Sequence, residues 1–298
     1  MTLSRLLFAL ILTTMLSPSS PALGQDIESF RMDNAYRPNN RTRAMDIMGH
    51  EPVDNGRYPV FVWTTGTLMT FDLQDADAYT AEMAQRGFVA ASVEYRNWLY
   101  PGTCQGQMPA VDGIFNPDRR NSAINAICNR PKADCSQGII VAGFSQGAHV
   151  AALAANYNDQ VQAAYLMGNG TQAFSFNDMN DCLGFESLAL PQDKIRSMVG
   201  AHDIVFGCDP DGDTCDKAGV REQQELTTGY SCGPNALECL QADGSGWYIV
   251  QDSEVVDGDA DHGYSYDGSS YDFDAIYERS NEEWSLRSNL DWLASQIQ

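Results

Sequence analysis

Gly138-Ile139-Ile140-Val141-Ala142-Gly143-Phe144-Ser145-Gln146-Gly147 is the stretch on which the reading of this chain turns. An apolar run leads into Gly-Phe-Ser-Gln-Gly, and the segment His149 to Asn156 that follows is rich in alanine. The pattern predicts a buried strand, a tight turn and a helix. A Gly-x-Ser-x-Gly turn in that setting lifts its serine hydroxyl clear of the sheet, with the helix N-terminus directly behind it. Only glycine fits on either side of the serine, because a side chain there collides with neighbouring backbone. Ser145 is the candidate nucleophile.

A serine hydroxyl is a poor nucleophile at neutral pH, so it needs a base, and the base needs an acid to orient it. Behind such a turn the partners follow in the order Ser, Asp or Glu, His. The chain has four histidines. His50 precedes the first clear strand, His149 lies one helical turn after Ser145 with its ring expected to point away, and His202 directly precedes an aspartate at a strand end. His262, in Asp259-Ala260-Asp261-His262-Gly263-Tyr264, comes after both the serine and a plausible acid, and is the candidate base. Asp203 is the candidate acid: Met198-Val199-Gly200-Ala201-His202-Asp203 reads as a strand leaving the sheet on the serine's side. Asp209 and Asp211 are its rivals, with Asp181 a weaker one. An oxyanion needs two backbone donors. Gln146, next to the nucleophile, supplies one, and Gly66 or Thr67, in the turn after the Val60 strand, supplies the other.

Around this turn, strands and helices alternate. Tyr58–Trp63, Phe88–Val93, Val161–Met167, Ile195–Gly200 and Trp247–Val250 read as strands, and Asp75–Arg86 and Arg119–Cys128 as helices, the latter with Ile124 and Ile127 inward. Residues 25–56 are polar and predict a lead-in segment or an edge hairpin. Leu286, Leu290, Leu293 and Ile297 share one face of a closing helix, with Ser280 and Glu283 as its capping box. The fold class is α/β, with a mostly parallel sheet covered by helices on both faces. Trp63, Tyr95, Trp98, Tyr100, Phe144 and Tyr264 line a cleft or belong to the core.

The ends and the composition bound the setting. Arg5 followed by the apolar Leu6–Met15 and a small-residue stretch ending in Ala22-Leu23-Gly24 predicts a signal peptide over residues 1–24. Residues 25–298 then form one domain with a cysteine-rich insertion at about 207–246, which is either a lid or a disulfide-stapled decoration. The eight cysteines (Cys104, Cys128, Cys135, Cys182, Cys208, Cys215, Cys232 and Cys239) predict disulfides formed in an oxidising compartment. Short loops Cys128/Cys135, Cys208/Cys215 and Cys232/Cys239 are the first pairings to consider. A formal net charge of −22 argues against nucleic acid or an anionic membrane surface as partner, and no apolar segment after the leader is long enough to be an anchor. A secreted or periplasmic product is expected.

On Gly143 to Gly147, Gly200 to Val205 and the His262-Gly263 loop, the chain resembles the α/β-hydrolase superfamily from about Tyr58 onward. Gly-Phe-Ser-Gln-Gly is similar to the elbow of the carboxylesterase and acyl-thioesterase branch, with Ala148 in place of that branch's usual glycine. The stretch Cys135 to Ala148 is also similar to secreted cutinases, while the long Asp203-to-His262 separation departs from them. The resemblance implies a serine hydrolase of small or polymeric carboxylic esters that needs no cofactor. A peptidase or thioesterase with the same triad, a polyester hydrolase and a catalytically inactive binding protein are the alternatives. Separately, Asp209, Asp211, Asp213 and Asp216 alternate as oxygen ligands do in calcium loops, and a structural calcium ion is an expectation for that stretch.

Overall fold

In the computed structural model, residues 24–38, 43–173, 177–207, 217–268 and 272–297 are described. Residues 1–23 of the predicted leader and the Asp209–Asp216 loop, with Cys208 and Cys215, lie outside them.

The strands are β1 (Ile27–Tyr36), β2 (Met45–Pro52), β3 (Val60–Thr64), β4 (Val89–Val93), β5 (Ile139–Phe144), β6 (Val161–Met167), β7 (Gln172–Ala173), β8 (Asn177–Asp178), β9 (Ile195–Gly200), β10 (Glu238–Leu240) and β11 (Gly246–Val250). The helices are α1 (Gln74–Gln85), α2 (Cys104–Phe115), α3 (Ala123–Cys128), α4 (Gln146–Ala152), α5 (Asn180–Leu183), α6 (Lys217–Thr228), α7 (Ala275–Arg279) and α8 (Leu286–Ala294). One nine-stranded sheet runs β1-β2-β4-β3-β5-β6-β9-β11-β10. From β4 to β11 all neighbours are parallel, while β1, β2 and β10 pair antiparallel at the two edges. The polar N-terminal stretch is thus an edge hairpin.

Alternation along each strand divides the core. Val60 and Val62, Val89 and Ala91, and Ile139 and Val141 face α2, α3 and α4. Phe61 and Trp63, Ala90, Ile140 and Ala142 face α1, α7 and α8. Strands buried on both faces carry near-continuous apolar sequence, which is why Ile139–Phe144 shows no alternation of polarity. Trp63 and Tyr264 belong to this core and line no cleft.

Three local expectations are corrected. The helix after Ser145 begins at Gln146 and runs to Ala152, with a separate 3-10 turn at Ala154–Asn156, rather than spanning His149–Asn156. The helix expected over Arg119–Cys128 begins at Ala123, where Ser122 accepts from the Asn125 N–H (3.4 Å) and starts it later. Ser280 and Glu283 form no capping box for α8: that helix starts after Ser285, Ser280 is the C-cap of α7, and Glu283 pairs with the buried Arg196 (3.0 Å). The apolar face of α8 is as read, with Leu286, Leu290 and Leu293 buried.

The insertion packs rather than hangs. Val220 of α6 joins Val199, Ala201, Trp247 and Ile249 in a third apolar cluster. Disulfides join Cys104–Cys182, Cys128–Cys135 and Cys232–Cys239, with Cα–Cα distances of 5.8, 5.6 and 5.6 Å. The first links α2 to α5 across 78 residues, a pairing that sequence spacing did not suggest. No helix among the described residues is long and apolar enough to cross a membrane.

Candidate active site

The order β4-β3-β5 means that the chain moves outward one way from β3 and returns on its other side. The carboxyl ends of β3 and β5 flank that reversal, where open α/β sheets leave a crevice. The Gly66 turn closes one side of it and Ser145 the other.

Ser145 sits at φ 55°, ψ −122°, a left-handed conformation that its neighbours impose. A Cβ on Gly143 would lie 2.4 Å from the Gly147 carbonyl, and a Cβ on Gly147 would lie 2.0 Å from the Thr64 carbonyl oxygen. The Ser145 N–H donates to Met167 O (2.8 Å), and Thr64 Oγ1 donates to Gly147 O (2.8 Å). The serine is therefore held by backbone on both sides.

The two candidate partners arrive from neighbouring strands. His262 Nε2 lies 2.9 Å from Ser145 Oγ, and its Nδ1 lies 2.8 Å from Asp203 Oδ2. Asp203 is 1% exposed, and its other oxygen accepts from the N–H groups of Val205 (2.9 Å) and Phe206 (3.0 Å). Asp203 accepts through one oxygen from backbone and meets His262 with the other, and the tautomer that donates from Nδ1 to Asp203 turns the Nε2 lone pair to the serine hydroxyl. The two loops lock together: His202 N–H donates to Ala260 O (2.8 Å), and a Cβ on Gly200 would lie 2.1 Å from Asp261 O. The ring centroids of Phe144 and Phe206 stand 5.0 and 5.5 Å from that of the imidazole and pack against it.

Gly66 lies against Ser145, since a Cβ there would stand 3.3 Å from Ser145 Cβ. Among the described residues none accepts a hydrogen bond from the backbone N–H of Gly66, Thr67 or Gln146. Thr67 Oγ1 donates to Gln146 Oε1 (2.9 Å), tying the two candidate donor segments together. Asn97 was not read from the sequence. Its amide donates to Gly66 O (2.6 Å) and Met69 O (2.7 Å) and shapes that turn; a lone Asn after a strand carries no pattern that signals such a role.

The other histidines separate cleanly. His50 is buried beside Thr80 (3.0 Å), on the far side of the sheet edge. His149 is fully buried, with Nδ1 3.3 Å from Gln107 and 3.5 Å from Tyr100 Oη. Burial pushes its pKa down to about 3, the nearby His262 adding to the effect and the Gly170 backbone opposing it. It is a neutral packing residue. Asp181 lies in α5, away from this hydrogen-bonded chain, and Asp209 and Asp211 lie outside the described residues.

The calcium expectation at Asp209, Asp211, Asp213 and Asp216 likewise falls outside the described residues. Within them, His202, Asp252 and Asp259 form one group able to hold a cation, their ligand atoms within 4.8 Å of one another. Asp252 also fastens the Ala260 N–H (3.1 Å), so the group braces the His262 loop as it stands.

No protein-family model and no curated protein matches the chain. Solved structures do. A Klebsiella pneumoniae protein, provisionally assigned as a dienelactone hydrolase, aligns over 92% of this chain and 99% of its own, at 15% identity and a TM-score of 0.50. The chain has the α/β-hydrolase fold. Two further neighbours are brefeldin A esterase, a bacterial homologue of human hormone-sensitive lipase (14% identity, 69% of this chain and 66% of that one, TM-score 0.42), and esterase Est22 (19%, 69% and 69%, 0.40). At these identities the likeness speaks to architecture, and the chemistry is argued from the site.

Proposed function

We propose that the protein is a secreted serine hydrolase that cleaves carboxylic esters. The observation that carries the reading is the unbroken chain Ser145 Oγ–His262–Asp203, at 2.9 and 2.8 Å, with uncommitted backbone N–H groups beside it.

Ser145 attacks the ester carbonyl while His262 Nε2 takes its proton. Asp203 holds the imidazole tautomer and offsets the imidazolium charge. The oxyanion is met by the N–H of Gln146 and by that of Gly66 or Thr67. His262 protonates the departing alcohol, then activates the water that releases the acid from Ser145. No step uses a metal. The three disulfides support an oxidising location.

A fluorophosphonate probe and p-nitrophenyl acetate test it together. Labelling of Ser145 with ester turnover is expected, both lost in Ser145→Ala. A folded wild-type protein that neither labels nor turns over ester would reduce the molecule to an inactive binding fold. Faster cleavage of a peptide amide or a thioester than of oxygen esters would move the triad to those substrates.

A further inference from the structure

The loop that follows β4 is fastened to the turn that touches Ser145. Tyr95 Oη donates to Thr65 O (2.5 Å), Asn97 bonds Gly66 as above, and the Leu68 N–H donates to Asn97 O (2.9 Å). Beneath this loop lies a cavity of about 230 Å³, lined by residues that include Tyr36, Tyr95, Trp98, Pro101, Pro109 and Gln146. Gln146, which follows Ser145 and opens α4, lines it, so the cavity reaches the end of α4 that carries the candidate nucleophile. Its walls are aromatic and proline rings, a surface suited to a flat apolar group.

One lining residue is charged, Arg96. Its guanidinium lies over the Trp98 ring, 4.9 Å from the centroid. Arg31, Arg43, Arg86, Arg119 and Arg130 each hold a carboxylate. Arg96 holds none among the described residues, nor do Arg37, Arg120 and Arg287, but of these four only Arg96 lines this cavity. A second cavity, of about 500 Å³, lies on the other face of the loop and shares Tyr95, Arg96 and Trp98. Trp98 and its neighbour Leu99 are 58% and 64% exposed, large apolar surface left open at the mouth of the site.

We propose that this cavity receives the apolar ring of an ester whose far end is a carboxylate, and that Arg96 binds that carboxylate. The substrate class is the half-ester of an aromatic dicarboxylic acid. A planar guanidinium matches a carboxylate with two parallel hydrogen bonds, and its stacking on Trp98 fixes the direction of the fork. The apolar walls on one side strengthen the pair relative to open water. The surrounding field of a chain at −22 repels anions, so one unneutralised cation at this mouth sets which anions dwell there. Hydrolysis breaks the acyl C–O bond, water supplies the hydroxyl and a proton, and the products are an alcohol and the dicarboxylic acid.

This inference rests on Ser145 being the nucleophile, and the test keeps the two apart. The protein is assayed with the monoethyl ester of benzene-1,4-dicarboxylic acid, with ethyl 4-methylbenzoate as its uncharged counterpart, and with p-nitrophenyl acetate, which carries no carboxylate for Arg96 to bind. The wild type is expected to favour the half-ester over the uncharged ester in kcat/KM. Arg96→Gln is expected to reduce that preference about 10- to 100-fold, chiefly through KM, the span of a charge-assisted hydrogen bond. Arg96→Lys is expected to restore part of it. Arg96 is exposed, and thermal melting verifies that the variants fold. Turnover of p-nitrophenyl acetate with no preference for the half-ester overturns the subsite and leaves the hydrolase reading standing, as does an equal loss on both ethyl esters in Arg96→Gln. Absence of turnover on all three esters, with no fluorophosphonate labelling, overturns both.

Discussion

The two sides of the candidate active-site crevice are held in different ways. On the β3–β5 side, Ser145 is placed mainly by backbone: a left-handed φ, two glycines without room for a Cβ, and a hydrogen bond to Met167 O, with the Thr64 hydroxyl bracing Gly147. On the β9–β11 side, His262 and Asp203 are placed by side-chain hydrogen bonds and by two loops resting on each other. The first side is rigid because its alternatives clash. The second is ordered because its polar groups are satisfied, so it responds to chemistry that leaves the elbow untouched.

Substitutions at the crevice break this contrast most strongly. Ser145→Ala is expected to lower kcat by about a million-fold with the melting temperature nearly retained, because a hydroxyl is lost and no cavity opens. Asp203→Asn keeps the shape of the β9–β11 side but removes the carboxylate that selects the imidazole tautomer. Its expected cost is about 10⁴ in kcat, read as turnover of p-nitrophenyl acetate. On the elbow side the corresponding change is structural. Gly147→Ala drives a methyl group to 2.0 Å from the Thr64 carbonyl and is expected to cost about 3 kcal/mol or more of stability, measured by urea unfolding.

Effects away from the crevice are smaller and separate the two sides in other ways. Replacing Cys104 and Cys182 by serine frees a 78-residue loop behind the elbow and is expected to cost about 4 kcal/mol, against about 2 kcal/mol for Cys232 and Cys239, whose loop spans 7. Chemical denaturation of the two double variants compares them directly. His149 gives the mildest effect and a pH signature. Its folded pKa of about 3 lies below its unfolded value near 6.5, so the unfolded state binds the proton first as pH falls. Stability is expected to be fully present above about pH 6.5 and to decline as pH drops toward 3. His149→Gln, which keeps a polar group beside Gln107, is expected to flatten that part of the urea-midpoint profile.

Much of the site could be read from the chain because the constraints there are local. Gly143, Ser145 and Gly147 declare the elbow through steric exclusion among five consecutive residues. Asp203 and His262 were reached by strand order, since each follows a strand and the sheet brings β9 beside β11. The Ser280/Glu283 capping box failed because Glu283 is drawn to Arg196, a buried cation whose position no local pattern encodes. Cys104–Cys182 was unreadable for a related reason: pairing over 78 residues depends on where α2 and α5 pack. Asn97 and Arg96 stayed silent because single polar residues after a strand acquire meaning from what lies across the crevice.

By itself the sequence determined the nucleophile turn, the alternation of strands and helices, and the acidic, cystine-bearing character of the chain. These follow from short-range sterics, hydrophobic period and composition, which act along the chain. Tertiary structure alone decided that His262 Nε2 comes within hydrogen-bond distance of Ser145, that the insertion's helix is part of the core, and that Arg96 lines an apolar cavity with no acidic partner among the described residues. Those outcomes depend on distances between residues far apart in the chain, and only the packed sheet sets such distances.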